Sequence, residues 1–79
     1  MKIKIHYFAQ FADLAQKSGE EMEISDPSPE QLYALLKERY GFPHDYNKIQ
    51  VAVNHTIAAV GFSLNDGDEV AFLPPMTGG

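Results

Sequence analysis

The sequence predicts an α+β fold in which a single β-sheet is covered on one face by a helix. Three observations point there. Lys2-Ile3-Lys4-Ile5-His6-Tyr7-Phe8 alternates polar and apolar residues, the period-2 mark of a strand with one buried face. The stretch from Ser28 to Gly41 carries both the start and the stop signals of an amphipathic helix. Several further short strand-like runs follow it, and one helix with several strands packs best as two layers around one core.

Taken in order, the first strand points Ile3, Ile5 and Tyr7 inward and leaves Phe8 on the other face with Lys4 and His6. Residues 9–16 are alanine-rich and place Phe11, Leu14 and Ala15 at helical spacing, so a short helix is expected there, ended by Ser18-Gly19. Glu21-Met22-Glu23-Ile24 alternates again as a second strand, with Met22 and Ile24 inward. The main helix is the clearest element. Ser28 is placed as N-cap, Pro29 at the first helical position where a missing N–H costs nothing, and Gln31 three residues after the cap. Leu32, Leu35, Leu36 and Tyr40 form its apolar stripe, Gly41 suits the C′ position, and Pro43 blocks continuation, which bounds the helix at about Pro29 to Tyr40. Residues 44–48 read as loop. Val51-Ala52-Val53 and the run from Thr56 to Val60 flank Asn54-His55 as a hairpin. Asn65-Asp66-Gly67-Asp68 is a turn. Glu69 to Leu73 is the last strand, with Val70 and Phe72 on one face and Ala71 and Leu73 on the other. The helix is expected to cover Ile3, Ile5, Met22, Ile24, Val51, Val53, Val70 and Phe72.

Seventy-nine residues make one domain with a small core, and a hydrophobic fraction of 44% is that of a globular chain. The formal charge of -5 and the scatter of only six basic residues offer nothing to displace counterions from a nucleic acid, so no nucleic-acid partner is expected. An acidic surface suits docking against a basic protein surface instead. With no cysteine there is neither a disulfide scaffold nor a thiol nucleophile, which fits a cytoplasmic protein. No secretion signal is apparent, and no apolar run approaches the roughly 18 residues of a membrane span. Asn54-His55-Thr56 spells a glycosylation sequon but reads as a turn. His6, His44 and His55 lack metal-ligand spacing and read as surface residues, so no metal site is expected. Glu20, Glu21 and Glu23 read as a solvated strand edge, and Asp66 and Asp68 as servants of their turn. No GxSxG, P-loop or GxGxxG motif is present.

The chemistry concentrates at the end of the sequence, Leu73-Pro74-Pro75-Met76-Thr77-Gly78-Gly79. Two prolines favour an extended path away from the sheet. From Leu73 to Gly79 such an arm reaches about 20 Å, at roughly 3.3 Å per residue. Gly78 and Gly79 have no Cβ and fit a channel too narrow for other residues. A terminal carboxylate is a poor electrophile, but once converted to an acyl-adenylate it is open to a sulfur or amine nucleophile. The arm therefore reads as a device that delivers a carboxyl group into another protein's active site. Phe8 and Leu73, on the open faces of the first and last strands, with Ile57 beyond the hairpin turn, form a candidate docking patch at its base. This divides the chain into a folded part, 1–73, and an arm, 74–79.

Tyr7-Phe8-Ala9-Gln10, Leu14, Ala52-Val53-Asn54-His55-Thr56, Leu64 to Phe72 (LNDGDEVAF) and the LPPMTGG arm together resemble the small, sulfur-carrying subunits of molybdopterin synthase, which are ubiquitin-like β-grasp proteins. The resemblance spans essentially the whole chain in the same order. It implies a mixed β-grasp sheet covered by one helix, and a carrier with its catalytic residues on a partner. An ATP-dependent, E1-like activating enzyme would adenylate Gly79, with Gly78 beside it. Sulfur transfer would make a thiocarboxylate, and the arm would enter the large subunit of a heterotetrameric synthase to supply the dithiolene sulfur of molybdopterin. No cofactor would be bound by the carrier itself, ATP being consumed by the activating enzyme. The partner-binding residues implied are Phe8, Ile57, Leu73, Pro74, Pro75, Met76 and Thr77. Ala12 departs from an arginine common in the family, and Leu73 from a common phenylalanine. The rival readings are a thiamine-pathway sulfur carrier, a ubiquitin-like modifier joined through Gly79 to lysines of other proteins, and a pure interaction domain that would tolerate deletion of its tail.

Overall fold

In the computed structural model, which describes residues 1–75, β1 (Lys2–Tyr7) follows the alternation of its sequence: Ile3, Ile5 and Tyr7 are buried while Lys2 and Lys4 are exposed. It is followed by α1 (Gln10–Ala15), β2 (Gly19–Glu23), α2 (Pro29–Tyr40), a 3₁₀ turn (Tyr46–Lys48), β3 (Gln50–Val53), β4 (Thr56–Ile57) and β5 (Glu69–Leu73). The five strands form one sheet in the order β2-β1-β5-β3-β4. β1 and β5 run parallel and every other neighbouring pair is antiparallel, so the sheet is mixed as expected.

The main helix and the last strand have the predicted bounds. Ser28 caps α2, its Oγ accepting from the Gln31 backbone N–H at 3.3 Å, with Pro29 in the first turn. The reciprocal half of the capping box is replaced: the Ser28 N–H donates to Asp26 Oδ1 at 2.9 Å. Gly41 ends the helix at φ 73°, the left-handed region that a residue with a Cβ disfavours. Asn54 and His55 both take positive φ, 51° and 71°, which is the twist a two-residue hairpin needs between Val53 and Thr56.

Several expectations are corrected. The inward stripe of α2 is Leu32, Tyr33, Leu36 and Tyr40, while Leu35 is turned out and 44% exposed. Tyr33 takes the buried position because its hydroxyl donates to the His44 carbonyl at 2.6 Å, so the ring is buried with its polar tip satisfied. Leu14 is exposed, and α1 is anchored by buried Phe11 and Ala15 with partly buried Ala12 packed beside them. That helix stops at Ala15, with Gln16 rather than Ser18-Gly19 taking the left-handed terminal conformation at φ 59°, and Gly19 already opens β2. The strand expected through Val60 ends at Ile57, and the loop at 44–48 contains the 3₁₀ turn. Phe42, between the helix stop at Gly41 and Pro43 and with no role assigned from the sequence, is buried and packs on Phe11 with ring centroids 4.4 Å apart, in a cluster that includes Tyr7, Tyr33 and Tyr40. All eight residues expected under the helix lie in the core or pack against it.

Glu20 is not a solvated edge residue. Its side chain is 17% exposed, and its Oε2 accepts from the hydroxyls of both Tyr7 and Tyr40, with Lys17 Nζ 3.6 Å from Oε1. Burial pushes the Glu20 carboxyl up, but the tyrosine hydrogen bonds and the charges of Lys17 and Arg39 outweigh it, and its pKa is lowered. The Tyr7 phenol is driven far above its ordinary value by burial and then by Glu20. This carboxylate ties β2 to β1 and to the last turn of α2.

Two stability predictions follow from these contacts. At Gly19 an added Cβ would stand 2.6 Å from the Ile5 carbonyl oxygen, a backbone atom held in the ladder with β2. Gly19→Ala is expected to cost about 1–3 kcal/mol, read as a lower thermal midpoint. For Glu20, a lowered folded pKa means its contribution is fully present above its unfolded value and is lost as pH falls through the folded one. Glu20→Gln should reduce stability at neutral pH by about 1–3 kcal/mol and flatten the acid limb of a stability–pH curve measured by urea unfolding.

Candidate functional site

The sheet face opposite α2 is organised by strand register. Tyr7 pairs with Phe72, so Phe8 and Leu73, each one residue further on, leave the ends of β1 and β5 side by side. Leu73 pairs in turn with Gln50 of β3. One row back, His6 stands beside Ala71, Ala71 beside Ala52, and Ala52 beside Ile57. The open face thus carries Phe8 and Ile57, 48% and 56% exposed, around two small alanines. Half-buried Leu73, Pro74 and Pro75 lead off its edge. Ala9, next to Phe8, has φ 51° and ψ -126°, a conformation that costs a non-glycine residue about 1–3 kcal/mol and turns the chain sharply into α1.

Phe8 and Leu73 are brought together as the sequence indicates, lining one hollow of about 240 Å³ with His6, Ala52, His55, Glu69 and Ala71. Ile57 stands at its flank, on β4 beside Ala52. The other expected site residues, Met76, Thr77, Gly78 and Gly79, lie outside the described residues. Sequence reasoning missed the alanine floor and the polar wall. The parity of the last strand already set Ala71 on the face of Leu73, which was the available signal for the floor.

The wall is a cross-strand pair, His6 Nε2 at 2.9 Å from Glu69 Oε1. That hydrogen bond holds the Glu69 carboxyl below the usual carboxylate range, opposed by burial and helped by the charges of Lys4, His6 and His55. Below Glu69, Asn54 Nδ2 donates to Asp68 Oδ1 at 3.0 Å and the Glu69 N–H donates to Asn54 Oδ1 at 3.0 Å, which fixes the β3–β4 turn against the start of β5. The three histidines do not converge, and no group of three or more His, Asp or Glu among the described residues could hold a metal ion. No buried polar side-chain atom among them lacks a hydrogen-bond partner, so none is left aimed at a ligand. A second, larger hollow of about 620 Å³ lies on the other side of Ile57, between the start of α2 and the loop after β4, lined by Pro27, Ile49, Val60 and Phe62 among others. No helix among the described residues is long and apolar enough to cross a membrane.

The chain is 38% identical over 80 residues to the molybdopterin synthase sulfur carrier subunit of Escherichia coli (strain K12), covering 98% of this chain and 99% of that one. Among solved structures it is similar to SAMP1 of Haloferax volcanii, with a TM-score of 0.79, 25% identity and full coverage of both chains. It is also similar to the putative molybdopterin converting factor, subunit 1, of Pyrococcus furiosus, with a TM-score of 0.76 and 29% identity over 95% of this chain and 98% of the other. The model of the ThiS family matches residues 5–79. A mixed five-stranded sheet covered by one helix, in a chain that the family model matches over residues 5–79, places the chain in the ThiS family, with the ubiquitin-like β-grasp as its fold.

Proposed function

We propose that this chain is a sulfur carrier of molybdenum cofactor synthesis, with the cargo on the carboxyl group of Gly79. The observation that carries the reading is the joint placement of Phe8 and Leu73 on the open sheet face where the Pro74-Pro75 arm departs. Such a patch docks a domain while its arm reaches into a partner. The full-length likeness to a synthase subunit named as a sulfur carrier supports the same role.

The chemistry is then set by what the chain lacks. There is no cysteine to hold a transferable sulfur, and the three methionines are thioethers without that capacity. The carboxylate of Gly79 attacks the α-phosphorus of ATP on an E1-like activating enzyme, giving an acyl-adenylate and releasing pyrophosphate. Hydrosulfide furnished by the sulfur source then attacks the acyl carbon, a C–S bond forms, the C–O bond to AMP breaks with AMP as leaving group, and loss of the sulfur-bound proton leaves a thiocarboxylate. Docked on the large subunit of a molybdopterin synthase, the arm presents that sulfur to build the dithiolene. The catalytic side chains belong to the partner, and the carrier acts in the cytoplasm as part of a heterotetramer.

A second reading is favoured by one observation, the likeness to SAMP1, a name that stands for small archaeal modifier protein 1. An adenylated Gly79 attacked by a lysine amine instead of sulfur would yield an isopeptide adduct. High-mass covalent adducts in lysate favour that reading, and a stable complex with a large catalytic subunit favours the carrier.

Incubation with ATP, the activating enzyme and a sulfur source should raise the intact mass by one oxygen-to-sulfur exchange, placed by fragmentation on Gly79 and absent without ATP. Sulfur elsewhere, or loading without ATP, contradicts the mechanism. Deleting Gly79 should abolish carrier function and leave the thermal midpoint unchanged. At the patch, Phe8→Asp or Leu73→Asp should weaken binding to the large subunit by about 2 kcal/mol or more in titration calorimetry, because a charge is placed in an apolar contact.

A further inference from the structure

The turn that leads into β5 carries a reactive pair of its own. Asp66 is the one aspartate in the sequence followed by glycine. Both residues are exposed, and Gly67 takes φ 88°, in the region that favours glycine. Beyond the adjoining residues, nothing lies within 4 Å of where a Cβ on Gly67 would stand, so that flank of the peptide is unshielded. In such a pair the glycine nitrogen attacks Cγ of the protonated aspartic carboxyl. A C–N bond forms, the carboxyl C–O bond breaks, and the proton on nitrogen leaves with the hydroxyl as water, giving a succinimide. Water then opens the ring. Where it breaks the bond between the Asp66 main-chain carbonyl and the Gly67 nitrogen, the chain continues through Cβ and Cγ as isoaspartate, one methylene longer. No reagent other than water takes part. The other aspartates precede Leu14, Pro27, Tyr46 and Glu69, whose side chains or ring obstruct the same attack.

In the folded protein both reacting groups are held by one residue. The Lys2 N–H donates to Asp66 Oδ1 at 2.6 Å, and the Lys2 carbonyl accepts from the Gly67 N–H at 2.8 Å. The carboxyl is thereby turned toward β1 and the hydrogen on the nucleophilic nitrogen is engaged, so neither group is free to meet the other. We propose that Asp66-Gly67 is a self-modification site held silent by Lys2: isomerisation proceeds when the first residues of β1 part from the turn, and the added methylene then prevents β1 and β5 from pairing again in register. Strand ends open locally at a lower cost than the whole fold, so such partings occur in the native protein. The methylene enters just before Asp68, whose carbonyl accepts from the Lys4 N–H at 3.0 Å, and the parallel ladder begins at the next residue, with Glu69 opposite Lys4. Each isomerised chain is therefore a permanent record of one opening. This chemistry is independent of any cargo on Gly79.

The test incubates the full chain at fixed pH and temperature, folded in buffer and unfolded in urea. Isoaspartate is read by methyl transfer from S-adenosylmethionine with an isoaspartyl methyltransferase and placed by peptide mapping, with Asp66→Glu, whose longer side chain does not close this ring, as the control for the site. Lys2→Pro removes the N–H that holds the carboxyl, at a first strand position where proline is tolerated. Wild type is expected to isomerise at least about tenfold more slowly folded than unfolded, and folded Lys2→Pro about tenfold faster than folded wild type, the effect of losing one hydrogen bond to a carboxylate. The isomerised chain should show a lower thermal midpoint than its parent. Equal rates in folded and unfolded wild type overturn the proposal, as does an absence of isoaspartate at position 66 in the unfolded chain. Folded Lys2→Pro reacting at the wild-type rate overturns the role of Lys2, and an unchanged midpoint in the product overturns the loss of register. Should Lys2→Pro not fold, wild type decides in urea below its transition: isomerisation that rises in step with hydrogen exchange at the Lys2 amide supports the mechanism, and isomerisation indifferent to that exchange overturns it.

Discussion

The parallel pairing of β1 with β5 joins two strands whose His6–Glu69 contact spans 63 residues of sequence, and the position of every residue at the base of the arm depends on its register. Such a long-range pair is entropically expensive to close. The turn at 65–68 secures it. The Lys2 N–H donates to Asp66 Oδ1 at 2.6 Å, the Gly67 N–H to the Lys2 carbonyl at 2.8 Å, and the Lys4 N–H to the Asp68 carbonyl at 3.0 Å. Asp68 also accepts from the Asn65 N–H through Oδ2 and from Asn54 through Oδ1, so one carboxylate braces the turn and the neighbouring hairpin. A slip of one residue in β5 would turn Phe72 out and Leu73 in, disrupting both the core and the apolar patch on the open face.

Most of this was legible in the sequence, and for local reasons. The cap and stop signals of α2, the alternation of β1 and β5 and the Asn-Asp-Gly-Asp turn are each fixed by neighbours within a few positions, and each was read correctly. Parity alone put Phe8 and Leu73 on the open face. What was not legible depends on partners far away in the chain. Tyr33 displaces Leu35 from the core because a carbonyl of the following loop waits for its hydroxyl. Glu20 becomes a half-buried anchor only because Tyr7 and Tyr40 converge on it. Phe42 sits after a helix stop, where pattern reading sees loop, and is buried by an aromatic cluster assembled from three other elements. The alanine floor of the hollow was overlooked because small residues announce nothing by themselves; only the side-by-side placement of Ala52 and Ala71 makes a cavity.

The division of labour between the two sheet faces follows from size. In a chain this short, α2 and the aromatic cluster occupy one face with nearly all of the large buried side chains. Among the described residues the other face has no layer over it, and it keeps small or partly exposed apolar residues and the hydrogen-bonded His6 and Glu69. That arrangement is tolerable in water and favourable when covered. Among the described residues every buried polar side-chain atom has a hydrogen-bond partner, and His6 and His55 share the hollow on the open face with Glu69.

The exit of the arm is a consequence of the same ladder. Leu73 is the last residue of β5 with a partner, opposite Gln50, and the next two residues lack the N–H that a continuing strand would donate. The sheet therefore ends where the prolines begin, without any need for a clash or a cap. Phe72, fully buried beneath the sheet, fixes the position of that endpoint through its rings-in-contact with Tyr33, 5.5 Å between centroids. Core packing on one face thus sets the place on the other face from which the chain departs, and a partner that recognises Phe8 and Leu73 recognises, in the same contact, where the arm starts.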